Sequence, residues 1–362
     1  MPVFTAALVA VALPAQTSAP QAGVAPTAQE ATKIVESLAQ ALTERFVFPE
    51  AGERYARALR NGLVDGRYSR FSTSTEFAEA LTQDLQRIHP DGHLRVIAPG
   101  TGSAQAGAGQ GGATVALERG AWIAPGIAYL SFSLFPGDPA TLAKLEDFLR
   151  THSKARTLVI DVRTHAGGGL AEMDRMFPYF FSRPTSLLQM DTRRSVDDAG
   201  GGVFPDGPTV IRLDGPKEVV RREHVAVPAK ESGGLSDAKI FVLTAARTAS
   251  AAEHFALALK RTGRATLIGE VTAGAGHVSP RVDIGSGYAA QVPIGRTFDP
   301  TTGRGWEGAG IGPHIAVPAE RALVEALIRS GVAAADAARL SAEFRPNGSM
   351  ERRRPLRLTS PL

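Results

Sequence analysis

Ser250 stands where a buried strand gives way to a helix, and that placement gives a hydroxyl a chemical use. The stretch KIFVLTAARTASAAEHFALALK (239–260) opens as an apolar strand and breaks at a small-residue turn over 244–249. It continues with Phe255, Leu257, Ala258 and Leu259 at helical spacing. The first N–H groups of a helix lack intrahelical partners and carry partial positive charge. A hydroxyl there can attack a carbonyl while the neighbouring N–H stabilises the oxyanion. The same residue in the same place also serves as an ordinary N-cap. Nucleophilic chemistry would need more: a base, a group to orient it and further oxyanion donors.

Three other stretches can supply these. VIDVRTHAGGGL (159–170) runs from a buried strand through three glycines into a helix, and such a loop presents backbone N–H groups to an anion. PDGHLR places His93 in a turn, and GRGWEGAGIGPH places Glu307 in a glycine-rich turn. A lone histidine is more often structural, and a glutamate in a turn is commonly just solvated. Each gains meaning only beside the others. His254, four residues after Ser250 on the same helix face, is a competing base. His165 and His277 fall in loops near the presumed site and are candidates to line a substrate cleft.

The surrounding pattern has two textures. Residues 28–87 read as three helices, with Ile34, Val35, Leu38 and Leu42 on one face of the first. Thr73 and Glu76 form a capping box before the third, which carries Phe77, Leu81, Leu85 and Ile88. A turn at Pro90, Asp91 and Gly92 leads to a short strand. A Gly/Ala/Ser/Gln-rich stretch follows and reads as a linker. Its G-x-G-x-x-G (Gly107, Gly109, Gly112) has neither the preceding strand nor the following apolar helix that a dinucleotide site needs. Beyond Trp122, strands alternate with helices, as in a layered α/β core. Residues 183–237 read as irregular, 281–318 as β-rich and 319–342 as helical.

Composition sets the outer bounds. With 362 residues, 43% hydrophobic and 21% charged, the chain is of globular type. It has no cysteine, which excludes disulfides and thiolate metal sites. A net charge of +4 with scattered arginines offers no nucleic-acid face. The apolar run at 3–13, followed by small residues, resembles a secretory signal with cleavage near Ala15 or Ala19. It is too short to span a bilayer.

DVRTHAGGG, VLTAARTASAAEHFA, IGEVTAGAGH and VPIGRTFDPTTGRGWEGAGIGPHIAVPA occur in that order. Together they resemble the tail-specific, or C-terminal processing, serine peptidase family, whose core is the ClpP/crotonase-like α/β fold. The helical unit ending in HPDGHLRV resembles the N-terminal domain of the branch that includes interphotoreceptor retinoid-binding protein. Many members use a Ser–Lys dyad with the lysine in a T-x-G-K-G turn. Here Ala275 fills that slot and no lysine follows Lys260. The tricorn-like Ser–His–Glu arrangement then assigns Ser250 as nucleophile, His93 as base and Glu307 as its carboxylate. The oxyanion donors would be Ala251 with Gly167 or Gly168.

The expectation is therefore an exported serine peptidase, periplasmic or secreted, acting on peptides or unfolded proteins without metal, cofactor, nucleic acid or membrane span. The expected parts are a signal (1–22), a helical domain (23–97), a glycine-rich linker (98–121), the peptidase core (122–320) and a helical extension with tail (321–362), with no PDZ domain. Two rivals share the fold: a non-catalytic binder of hydrophobic ligands, like the retinoid-binding relatives, and a crotonase-like acyl-CoA enzyme.

Overall fold

The computed structural model describes residues 23–101, 116–230 and 234–352. The signal-like segment, most of the glycine-rich stretch and the last ten residues lie outside them. In chain order the elements are α1 (Ala28–Arg45), α2 (Pro49–Val64), α3 (Ser74–Ile88), β1 (Arg95–Ile97), β2 (Leu117–Ala124), β3 (Ile127–Phe132), α4 (Pro139–Thr151), β4 (Thr157–Asp161) and α5 (Ala171–Phe180). Then come β5 (Thr185–Arg193), the one-turn α6 (Arg194–Val196), β6 (Val210–Leu213), β7 (Val219–Ala226), β8 (Lys239–Thr244), α7 (Ala251–Arg261) and β9 (Ala265–Gly269). The chain continues with β10 (His277–Val278), β11 (Arg281–Gly285), β12 (Tyr288–Gln291), β13 (Gly295–Phe298), β14 (Ile315–Ala316), α8 (Ala322–Arg329) and α9 (Ala334–Glu343).

α1 and α3 each open on a complete capping box, Thr27 with Glu30 and Thr73 with Glu76. Pro49 lies in the first turn of α2, where a missing N–H leaves no bond unmade. The apolar faces read from the sequence are buried: Ile34, Val35, Leu38, Leu42, Phe77, Leu81 and Leu85. Helices alone do not close this unit. β1 pairs antiparallel with β12, Val96 opposite Ala290, and the β11–β12 hairpin adds Ile284, Tyr288, Ala290 and Val292 to the same core.

The larger α/β core is a six-stranded sheet in the order β14-β9-β8-β4-β3-β2, parallel except for β2. Alternate side chains of its strands face opposite layers. Leu158, Ile160, Ile240 and Val242 pack with α5 and α7. Val159, Phe241 and Leu243 pack with α8 and α9. This two-sided burial is why these strands read as unbroken apolar runs. β8 is central, and its C-terminal end, where sites form in parallel sheets, delivers the chain to Ser250.

Residues 183–237, expected to be irregular, contain β5, β6 and β7. These join β13 and β10 in a five-stranded antiparallel sheet. The strand signal is hidden by polar residues on the inward face. In β7 Arg222 and His224 are buried, Arg222 against Asp197 at 2.7 Å and His224 against His254 at 2.8 Å. The expected linker also ends early, since β2 starts at Leu117.

Candidate active site

Ser250 precedes α7 with φ 56° and ψ −117°, a region that non-glycine residues avoid and that costs about 1–3 kcal/mol. Its main chain is fixed from both sides. The carbonyl accepts from the N–H groups of Glu253 (2.8 Å) and His254 (3.0 Å), and its own N–H donates to Glu253 Oε2 at 2.8 Å. Glu253 is fully buried and also accepts from Thr272 Oγ1 (2.5 Å), Gly274 N–H (2.7 Å) and Ala275 N–H (2.8 Å). Burial pushes its carboxyl up against the pull of those donors. Ala275, in the slot of the missing lysine, thus supplies a backbone N–H to the carboxylate beneath the serine.

The glycine loop reaches Ser250 from β4. Its base is held by the buried Arg163–Asp161 pair (2.6 Å), by Thr248 Oγ1 on the Val162 carbonyl (2.8 Å) and by Ala249 N–H on the His165 carbonyl (3.1 Å). Gly167 has φ +120°, and a Cβ there would lie 2.8 Å from Ser250 Cβ. Gly168 has φ +133°, and a Cβ would lie 2.0 Å from the Phe135 carbonyl oxygen. Only glycine fits either place. The Gly167 N–H is taken, donating to His165 Nδ1 at 3.1 Å. The N–H groups of Gly168 and Ala251 have no hydrogen-bond partner among the described residues.

His93 enters from the helical unit. Gln86 on α3 clamps its turn, accepting from Asp91 N–H (2.9 Å) and donating to the carbonyls of Asp91 (2.7 Å) and Leu94 (2.8 Å). His93 Nδ1 lies 3.1 Å and 3.2 Å from the two oxygens of Glu307, 214 residues away. A ring nitrogen facing a carboxylate carries the proton, which leaves Nε2 as the acceptor. Burial pulls this imidazole down. The Glu307 bond and charge, helped by Asp91 and Glu253, outweigh it and hold the group above the ordinary histidine value. Glu307 is itself fixed by N–H donors from Gly92 (3.0 Å), Gly276 (2.7 Å) and His277 (3.0 Å).

The other histidines go elsewhere. His165 is fully buried beneath the glycine loop, edge-on to Phe135, so it supports the loop and walls no cleft. Burial alone pushes it down to about 3. His254 sets its Nε2 against His224 Nδ1 (2.8 Å), whose Nε2 meets Asp174 at 3.1 Å. His277 borders a cavity of about 370 Å³ with Phe48, Arg296, Trp306 and Glu307, and its Nδ1 bonds Asp91 Oδ2 at 2.8 Å. Glu253 and Gln86 were not singled out from the sequence. For Glu253 the S-x-x-E spacing from Ser250, a capping-box pattern, was a signal that could have found it.

Residues 126–317 match the model of peptidase family S41. The chain belongs to peptidase family S41. It is accordingly a serine-type peptidase. Residues 22–117 match the N-terminal domain of peptidase S41 in eukaryotic IRBP, in agreement with the resemblance of the helical unit. Among solved structures, the photosystem II D1 C-terminal processing protease is 16% identical, with TM-score 0.55 over 85% of this chain and 98% of that one. A candidate peptidase from Parabacteroides merdae is 16% identical, with TM-score 0.59 over 85% and 98%. A lipoprotein from Streptococcus agalactiae is 13% identical, with TM-score 0.52 over 90% and 100%. At these identities the likeness is one of fold. The described residues of this S41 peptidase include no PDZ domain and no helix long and apolar enough to cross a membrane.

Proposed function

We propose that this S41 peptidase cleaves peptide bonds through an acyl-enzyme on Ser250, with His93 as general base and Glu307 as its orienting carboxylate. His93 Nε2 takes the Ser250 proton as Oγ attacks the scissile carbonyl, and the N–H groups of Ala251 and Gly168 receive the oxyanion. The imidazolium returns the proton to the leaving amine, the C–N bond breaks, and water hydrolyses the ester by the reverse sequence of proton transfers. The observation that carries the reading is the His93–Glu307 pair. It joins the helical unit to the core and leaves an acceptor nitrogen on the base. The strained Ser250 at a helix N-terminus supports it, as does the pair of unclaimed N–H groups. Peptides or unfolded proteins are the substrates of this reading, met in the periplasm or outside the cell, with the 1–22 segment as export signal.

Labelling with a fluorophosphonate, followed by peptide mapping, tests it. The expected adduct is on Ser250, lost in Ser250→Ala and strongly reduced in His93→Ala, with both variants folded. An adduct on another residue, or wild-type labelling of His93→Ala, would overturn the assignment. Saturable binding of an apolar fluorophore by a folded, unlabelled protein would instead favour the ligand-binding rival.

A further inference from the structure

Asp91 is a buried carboxylate that divides its two oxygens between the two parts of the molecule. Oδ1 accepts the N–H groups of His93 (2.9 Å) and Leu94 (3.2 Å), which shapes the turn presenting the base. Oδ2 faces His277 Nδ1 at 2.8 Å, 186 residues on and inside the peptidase core. The His277 ring packs edge-on against Phe48 of the α1–α2 link, centroids 5.8 Å apart, and its main-chain N–H donates to Glu307. Two carboxylate–imidazole pairs therefore cross one boundary in opposite senses. His93 of the helical unit rests on Glu307 of the core, and His277 of the core rests on Asp91 of the helical unit.

Resting on the reading of His93 as base, we propose that Asp91 and His277 form a latch that fixes the base-bearing turn to the core, which makes both of them positioning residues for acylation of Ser250. A residue that only lined a cleft would not need a buried carboxylate oxygen set against its ring. A charge-assisted hydrogen bond is about twice as strong as a neutral one. A catalytic group must be held to within about 0.5 Å, and a displacement of about 1 Å costs roughly a hundredfold in rate. Overall docking rests on other contacts, the β1–β12 pairing and the shared apolar core. Loss of the latch therefore loosens the turn without undocking the unit.

The test compares the wild type with His277→Ala and His277→Asn. Asn places an N–H near the position of Nδ1 and can still donate to Asp91. Two readouts are taken: the rate of fluorophosphonate labelling of Ser250, with kcat and KM on any peptide substrate found, and amide hydrogen exchange of residues 91–94. His277→Ala is expected to label about 10- to 100-fold more slowly, mainly through kcat, and to exchange faster at 91–94. His277→Asn is expected to recover most of both. Wild-type rates and exchange in His277→Ala would overturn the latch, as would a His277→Asn variant as impaired as the alanine. If the wild type itself is not labelled, the peptidase assignment fails at Ser250, and the exchange at 91–94 still decides whether the latch exists.

Discussion

The N–H of Ser250 donates to Glu253 Oε2 at 2.8 Å, and the same carboxylate gathers Thr272, Gly274 and Ala275. One buried side chain thereby holds the serine's left-handed backbone and the turn where other family members keep a lysine.

Glu253→Gln keeps the shape but turns an amide donor toward backbone N–H groups that can only donate. It is expected to destabilise the protein by about 3 kcal/mol, the scale of a broken buried charged network, and to slow Ser250 labelling at least tenfold. Urea unfolding and labelling kinetics measure the two effects. An unchanged midpoint would mean that the carboxylate does not carry this network.

Ser250 is strained at φ 56°, and glycine would relieve that strain. Ser250→Gly is expected to abolish labelling yet raise stability by about 1 kcal/mol, less a few tenths for the weaker cap. Urea titration of wild type and variant decides it. A less stable variant would place the strain elsewhere.

With His93 as the proposed base, kcat/KM is expected to show an acidic limb, rising with pH through a value above the ordinary 6.5, because Glu307 favours the protonated ring. Glu307→Gln should move that limb to lower pH and reduce the plateau by roughly a hundredfold or more. A limb that stays in place in the variant would detach Glu307 from the titrating group.

Acid should unfold this protein through its interior histidines. His165 is depressed to about 3, and His254 is held well below its usual value by burial and by the neighbouring His224. Both are neutral when folded and free to protonate when unfolded. Their stability is complete above about pH 6.5 and is lost as pH falls below it, by about 1.4 kcal/mol per pH unit per group. Denaturant midpoints between pH 7 and 4.5 test this. His165→Asn, which keeps an acceptor for Gly167 N–H, should flatten the slope.

What the sequence revealed depends on distance along the chain. The strand, turn and helix around Ser250 are local, so apolar periodicity displays them. The His93–Glu307 pair spans 214 residues and was reached through the resemblance. Its geometry depends on a docking that no spacing rule contains. The choice between Gly167 and Gly168 was open because it turns on a third residue, His165, which claims the Gly167 N–H. β5 and β7 were missed because ion pairs and histidines occupy inward positions where a strand pattern expects apolar side chains. His165 itself, read as a loop residue near the cleft, is a buried prop of the loop. Loop position does not tell which way a ring turns.

The hairpin that completes the helical unit's core lies some two hundred residues downstream of it. During synthesis, at about 5–20 residues per second, α1 to α3 leave the ribosome roughly 10–40 s before Tyr288 can meet Phe77, whose rings lie 5.5 Å apart in the finished protein. Glu307 emerges later still. The order of translation thus brings His93, Ser250 and Glu307 together only when nearly the whole core has been made; under the proposed mechanism, a half-made chain would not yet hydrolyse its neighbours.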